Sequence, residues 1–190
     1  MTAVTGIILA GGQARRMGGI NKGLVEFRGS PLVRHVISRF APQVDHLFLN
    51  ANQELGQYRA LGYPVITDDA QDFAGPLAGL LAGMRATATP LVATVPCDSP
   101  FLPENLVNRL AVALESGDFD LAAAQTGSRP QPVFCLCKTA LRDDLAAFLQ
   151  QGGRKVEQWQ ARHKMATVPF DDMPQAFANF NTLEELEAAQ

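Results

Sequence analysis

Residues 5–23 read TGIILAGGQARRMGGINKG, an apolar run of strand length that passes straight into two adjacent glycines and then into a segment carrying Arg15, Arg16 and Lys22. Glycines at a strand end let the backbone turn sharply and present bare N–H groups, and three cations within one short segment favour an anion. The stretch therefore reads as a phosphate-handling loop suited to a nucleoside triphosphate. A strand opening into such a loop is also how an α/β domain begins, with ligands gathered beyond the carboxyl ends of parallel strands.

Two familiar nucleotide motifs do not fit. A phosphate-binding P-loop needs glycine followed directly by Lys and Ser or Thr, whereas Lys22 follows Asn21 and precedes Gly23. A dinucleotide fingerprint needs GxGxxG, whereas Gly11 and Gly12 are adjacent and Gly18 comes much later. The loop instead resembles the signature of the nucleotidyltransferases, carried here by Leu9, Ala10, Gly11, Gly12, Arg16, Met17, Gly18 and Lys22. Enzymes of that superfamily attach a nucleoside monophosphate to an acceptor phosphate and release pyrophosphate.

Working outward, short apolar or β-branched runs alternate with helical patterns. Strands are expected over 5–9, 45–50, 91–96 and 120–124, and helices over 31–41, 77–88, 104–116 and 139–150. In the first helix Ser30 reads as the cap and Pro31 as the first helical residue, with Leu32, Val36, Ile37 and Phe40 on one face. The alternation predicts an α/β fold, a mostly parallel sheet covered on both faces. Farther on, strands over 132–136 and 165–168 surround a helix near 155–161, and a capping pattern from Thr182 to Glu185 starts a final helix over 182–189. We expect one domain over 1–190, its nucleotide-binding part at about 1–120 and an acceptor-side part at about 121–190.

At 190 residues and 47% hydrophobic, the chain suffices for one well-packed domain and is short for two. A net charge of −3 argues against a broad basic surface for nucleic acid, so the cations near the start belong to a local site. Cys97, Cys135 and Cys137 form neither a disulfide framework nor a paired zinc spacing, which fits a reducing cytoplasm. No apolar run approaches a membrane span, and the start lacks the pattern of a signal peptide.

Asp98 ends the apolar run 91–96 within VPCDSPF, where a hard carboxylate can bind Mg²⁺ and thereby clamp triphosphate oxygens. The same Asp98, Ser99 and Pro100 also read as a helix-initiating cap. Lys22 can reach a nonbridging phosphate oxygen and stabilise charge growing at the α-phosphorus, or stand as a solvated loop lysine. Arg16 offers a forked contact to phosphate, and Arg15 reads as surface charge. Asn50 and Asp68 each follow a short strand-like run; both suit a base or ribose, an ionised Asp being able to accept from the ring N–H and exocyclic amine of guanine, and both also suit turns. Gly75, Pro76 and Gly79 read as a close backbone approach at a helix start that borders the base. The dispersed His35, His46 and His163 offer no metal cluster, and the aromatics of 170–180 read as packing residues.

Taken together, LAGGQARRMGGINKG (9–23), FLNAN (48–52), ITDD (66–69), GPLAGLLAG (75–83), VPCDSP (95–100), RPQPVF (129–134) and NFNTLEEL (179–186) resemble the molybdenum cofactor guanylyltransferases over almost the whole chain. The resemblance implies a single-domain, Rossmann-like three-layer fold, a cytoplasmic location and Mg²⁺ dependence. It implies transfer of GMP from GTP to the terminal phosphate of molybdopterin. GTP contacts carry over to Leu9, Ala10, Gly11, Lys22, Asn50, Asp68 and Asp98, with Mg²⁺ on Asp98. On the acceptor side it points to Arg154, Lys155, Asn179 and Asn181, and it sets Gln131 where some members carry His. Transient contacts with proteins that deliver the cofactor and with molybdoenzymes that receive it would follow; nucleic acid and membrane are not expected partners. The competing readings are a related nucleotidyltransferase using CTP or a sugar-phosphate acceptor, and a noncatalytic nucleotide-binding protein.

Overall fold

The first strand, β1 (Val4–Leu9), lies inside the sheet, paired in parallel with β4 (His46–Asn50) on one side and β6 (Leu91–Pro96) on the other. Because successive side chains of a strand point to opposite faces, a strand with both faces covered must be apolar or internally satisfied, and β1 is apolar except for Thr5, whose buried hydroxyl is hydrogen-bonded to those of Thr87 and Thr89. Ile8 packs in one layer with Val33, Val36 and Phe40 of α1 (Leu32–Phe40) and Leu106 and Leu110 of α4 (Leu106–Glu115). Ile7 packs in the opposite layer with Leu77, Leu80 and Met84 of α3 (Pro76–Ala86), with α5 (Arg142–Gln150) and with Trp159 of α6 (Val156–Gln160). The result is a three-layer α/β fold. The computed structural model describes residues 2–11, 21–68, 75–180 and 185. Arg16, Asn181 and, apart from residue 185, the expected helix over 182–189 lie outside the described residues.

The seven strands run in the order β5 (Val65–Ile66), β4, β1, β6, β8 (Arg129–Lys138), β7 (Leu121–Thr126) and β9 (Met165–Pro169). All pairings are parallel except those of β8, which runs antiparallel to both β6 and β7. β7 and β8 form a hairpin through Gly127, which has a φ of 55°, and Ser128.

The cap expected at Ser30 does not form. Ser30 and Pro31 make β3 (Ser30–Pro31), which pairs antiparallel with β2 (Glu26–Phe27), and α1 follows directly with no side-chain cap. Arg28 and Gly29 both have positive φ, 48° and 76°, the backbone of a tight hairpin turn whose twist matches its strands. A short helix α2 (Leu55–Arg59) follows β4 and delivers the fully buried Tyr58.

This topology collects the site. Leu9 is opposite Asn50 and Pro96, and Asn50 is opposite Ile66, so the carboxyl ends of β5, β4, β1 and β6 form one edge. Gly11, Asn50, Asp68 and Asp98 all lie on or just past it.

Candidate active site at the carboxyl ends of the parallel strands

The segment after β1 remains stitched to both neighbours for one further step: the Ala10 N–H donates to the Asn50 carbonyl at 2.8 Å and the Cys97 N–H to the Leu9 carbonyl at 3.2 Å. Leu9, Ala10 and Gly11 thus form a floor between the ends of β4 and β6. At Gly11 the fit explains the residue type, since a Cβ there would stand 2.8 Å from Asn52 Nδ2 and 3.0 Å from Asn50 Oδ1.

On the β4 side of this floor lies Asp68. Its Oδ1 accepts from Asn50 Nδ2 and its Oδ2 from Asn52 Nδ2, both at 2.7 Å, while its own N–H donates to Asn52 Oδ1 at 2.9 Å. Hydrogen bonds to a carboxylate are stronger than neutral ones and hold its plane. Helix α3 presses on this cluster at Gly79, where a Cβ would come within 2.3 Å of Asn50 Oδ1 and 2.6 Å of Leu9 Cδ2. Gly75 caps α3 with φ 71° and ψ −156°, a region that is essentially glycine's alone. Because Asn50 is buried, it has no room to retreat from a larger residue at Gly79. We expect Gly79→Ala to raise the KM for the nucleotide about tenfold by displacing Asn50 from Asp68, with a much smaller effect on kcat; steady-state kinetics check this.

On the β6 side stand Lys22 and Asp98, with Lys22 Nζ 3.6 Å from Asp98 Oδ2 and side chains 24% and 15% exposed. Burial pushes the Asp98 carboxyl above the usual carboxylate range, and the Lys22 ammonium pulls it partly back. Lys22 is fixed from behind. The Tyr58 hydroxyl donates to Asn21 Oδ1 at 2.7 Å, and Gly23 packs so closely that a Cβ would lie 2.6 Å from Tyr58 Oη and 3.3 Å from Cys97 Sγ. Cys97 is no nucleophile, since burial pushes its thiol up, well away from the reactive thiolate. The alternative reading of Asp98, Ser99 and Pro100 as a helix cap fails: α4 begins only at Leu106, after Asn105. The Ser99 hydroxyl instead donates to Asn179 Oδ1 at 2.7 Å, and the Phe180 N–H to the Asp98 carbonyl at 3.3 Å.

Among the described residues no group of three or more His, Cys, Asp or Glu side chains could enclose a metal. Asp98 alone suits Mg²⁺, which keeps several waters and takes one or two carboxylates together with substrate phosphates. A hard, partly exposed carboxylate beside a single cation matches that donor set.

A model of the MobA-like NTP transferase domain matches residues 6–166. The molybdenum cofactor guanylyltransferases of Cupriavidus taiwanensis and Bordetella petrii are each 53% identical to the chain, over 97% of it and 95% of the relative for the first, and 98% and 96% for the second. The chain belongs to the molybdenum cofactor guanylyltransferase family. Among solved structures, the fold is similar to molybdopterin-guanine dinucleotide biosynthesis protein A of Archaeoglobus fulgidus, with a TM-score of 0.80 and 22% identity over 97% of this chain and 96% of that one. It is similar also to a 4-diphosphocytidyl-2C-methyl-D-erythritol synthase of Anaerococcus prevotii, with a TM-score of 0.76, 13% identity and 99% and 94% coverage. The chain is a nucleotidyltransferase, and the guanylyltransferase fold is shared with an enzyme named for a cytidyl product.

Of the positions that resemblance to the guanylyltransferases singles out, Leu9, Ala10, Gly11, Asn50 and Asp68 come together in one cluster, and Lys22, Asp98 and Asn179 in its neighbour. Arg154 and Lys155 sit apart in the turn between α5 and α6. Both are exposed, and Arg154 donates to the carbonyls of Leu149 and Gly153 at 2.8 and 2.7 Å, closing the end of α5. The next residue, Val156, lines a small cavity with Leu9 and Pro76, which brings that turn toward the floor. Asp144 holds α6 there, accepting from Trp159 Nε1 at 3.0 Å and Arg162 at 3.2 Å. Gln131 is buried and donates to Thr126 Oγ1 at 3.1 Å. Sequence reading passed over Asn52 and Tyr58. Asn52 stands inside the FLNAN motif, two residues past Asn50, but its contact with Asp68 spans a crossover and leaves no local pattern.

Proposed function

We propose that this chain transfers GMP from GTP to the terminal phosphate of molybdopterin, forming molybdopterin guanine dinucleotide and pyrophosphate. The observation that carries this is the placement of two different clusters on either side of residues 9–11: an Asn50–Asp68 acceptor site at the end of β4, and a Lys22–Asp98 pair at the end of β6. The first is suited to a base and the second to a triphosphate. Family membership supports the choice of GTP and molybdopterin.

An oxygen of the acceptor phosphate attacks the α-phosphorus, a new P–O bond forms, and the bond to the β-phosphate oxygen breaks as pyrophosphate leaves. The attacking oxygen is already anionic, so no strong general base is needed and the protein's task is alignment and charge stabilisation. Lys22 sits where it can hold a nonbridging oxygen and strengthen its grip as charge develops. Asp98 would hold Mg²⁺, which when bound withdraws charge from the triphosphate. Asn179, tied to Ser99 beside Asp98, would face the acceptor, as would Arg154, Lys155 and Asn181, with Arg16 on the phosphates and Gly75 at the base. In this reading residues up to about 120 hold the nucleotide and those from about 121 the acceptor. Three free, buried cysteines suit the cytoplasm, where delivery proteins and recipient molybdoenzymes would meet the enzyme transiently.

The test is pyrophosphate release by the purified chain with Mg²⁺, molybdopterin and either GTP or CTP. We expect GTP to be used at least tenfold more efficiently than CTP, about the loss from leaving one buried polar group unpaired. Preference for CTP, turnover with sugar phosphates in place of molybdopterin, or GTP binding without pyrophosphate release would each overturn the proposal.

A further inference from the structure

We infer that Asn52 is a positioning residue that sets nucleotide selectivity by locking the Asp68 carboxylate in one plane. This rests on the guanylyl-transfer reading above. Every polar atom of the Asn52 amide is engaged: Nδ2 donates to Asp68 Oδ2 at 2.7 Å and to the Gly11 carbonyl at 3.4 Å, and Oδ1 accepts from the Asp68 N–H at 2.9 Å. The amide orientation is determined by these partners, because turning it over would set an oxygen against the carboxylate and an NH₂ against a backbone N–H. Asn50 holds the other carboxylate oxygen at 2.7 Å.

The consequence for recognition is geometric. An aspartate carboxylate otherwise rotates broadly about its last torsion and can accept from almost any amino group. Held at both oxygens, it keeps one further acceptor direction on each. A carboxylate fixed in one plane with one acceptor direction left on each oxygen can be set to pair with an edge bearing two adjacent N–H donors. Guanine has that edge in its ring N1–H and 2-amino group. Hypoxanthine keeps only the ring N–H, and adenine presents a lone pair at N1, which the carboxylate repels. Asn52 also reaches the Gly11 carbonyl on the floor, which anchors this reader to the sheet edge.

The experiment compares kcat/KM for GTP, ITP and ATP in wild type, Asn52→Ala and Asn52→Asp, with molybdopterin and Mg²⁺ and with thermal unfolding as a check on each variant. In Asn52→Ala the preference for GTP over ITP is expected to fall about tenfold or more, because the charged hydrogen bond that fixes Asp68 is lost, while ITP turnover changes little. Asn52→Asp is isosteric and keeps an acceptor for the Asp68 N–H, but it replaces the donor with a second carboxylate oxygen; the same fall is expected, and this variant carries the test should the alanine variant not fold. Retention of the GTP to ITP ratio in Asn52→Asp, or an equal loss with all three nucleotides, overturns the inference. The wild-type enzyme separates the two levels: preference for GTP over CTP with unchanged selectivity in the variants rejects the role of Asn52 alone, whereas preference for CTP rejects the guanylyl-transfer reading beneath it.

Discussion

Replacing Asp98 with Asn is expected to lower turnover about 10³-fold while making the metal-free protein more, not less, stable at neutral pH. The loss follows from removing the carboxylate that, among the described residues, is placed to hold a cation beside Lys22, and a charge-stabilising group aimed at a transition state is worth about this much. The gain follows from burial. Asp98 is held above the usual carboxylate range because desolvation outweighs the attraction of Lys22, so the folded protein binds this proton more tightly than the unfolded chain does. Stability from such a group is complete below the unfolded value and drains away as pH rises through the raised folded value. Asn is neutral throughout and escapes that loss. Thermal unfolding in chelator should therefore show the variant ahead of wild type at neutral pH, with the gap closing as the pH is lowered into the carboxylate range. Added Mg²⁺ and GTP should reverse the order, since a ligand that binds only the folded state raises the wild-type midpoint. A variant less stable than wild type in chelator at neutral pH would show that Asp98 is a structural residue.

Asp98 stood out in the sequence because a lone carboxylate closes a mostly apolar run at a strand end, and the structure places it there, beside Lys22. β6 itself matched its expected span for the same reason, because both faces are buried and the apolar run stops where the sheet does. Other features had weaker traces. The β2–β3 hairpin has strands of two residues, too short for any period to register, and its turn is made by Arg28 and Gly29 in place of the usual Asn-Gly. The antiparallel sense of β8 was carried by Gly127 and Ser128, a two-residue turn with a legible signal, whereas the strand and helix alternation says only that the sheet is mostly parallel and not which strand departs from it. In the site, residues whose job depends on chemistry at a strand end were legible one at a time. Asn52 and Tyr58 were not, because each acts on a residue far away in the chain and the pairing exists only after folding.

Lys22→Ala is expected to cut kcat about 10²-fold to 10³-fold with the preference for GTP over CTP nearly intact. The two clusters are separate hydrogen-bonded units on opposite sides of residues 9–11, so a cation lost from the phosphate side leaves the Asn50–Asp68–Asn52 network untouched. Because Lys22 is held by its neighbours, through Tyr58 on Asn21 and the tight packing of Gly23, its ammonium arrives already positioned, and its contribution is larger in the transition state than in the ground state. KM for GTP should accordingly move much less than kcat. Lys22→Arg should recover only part of the loss, since a planar, delocalised fork does not reproduce the compact point charge of an ammonium beside Asp98. A GTP to CTP ratio that collapses along with kcat would show that the two halves of the site are one unit coupled through the floor between them.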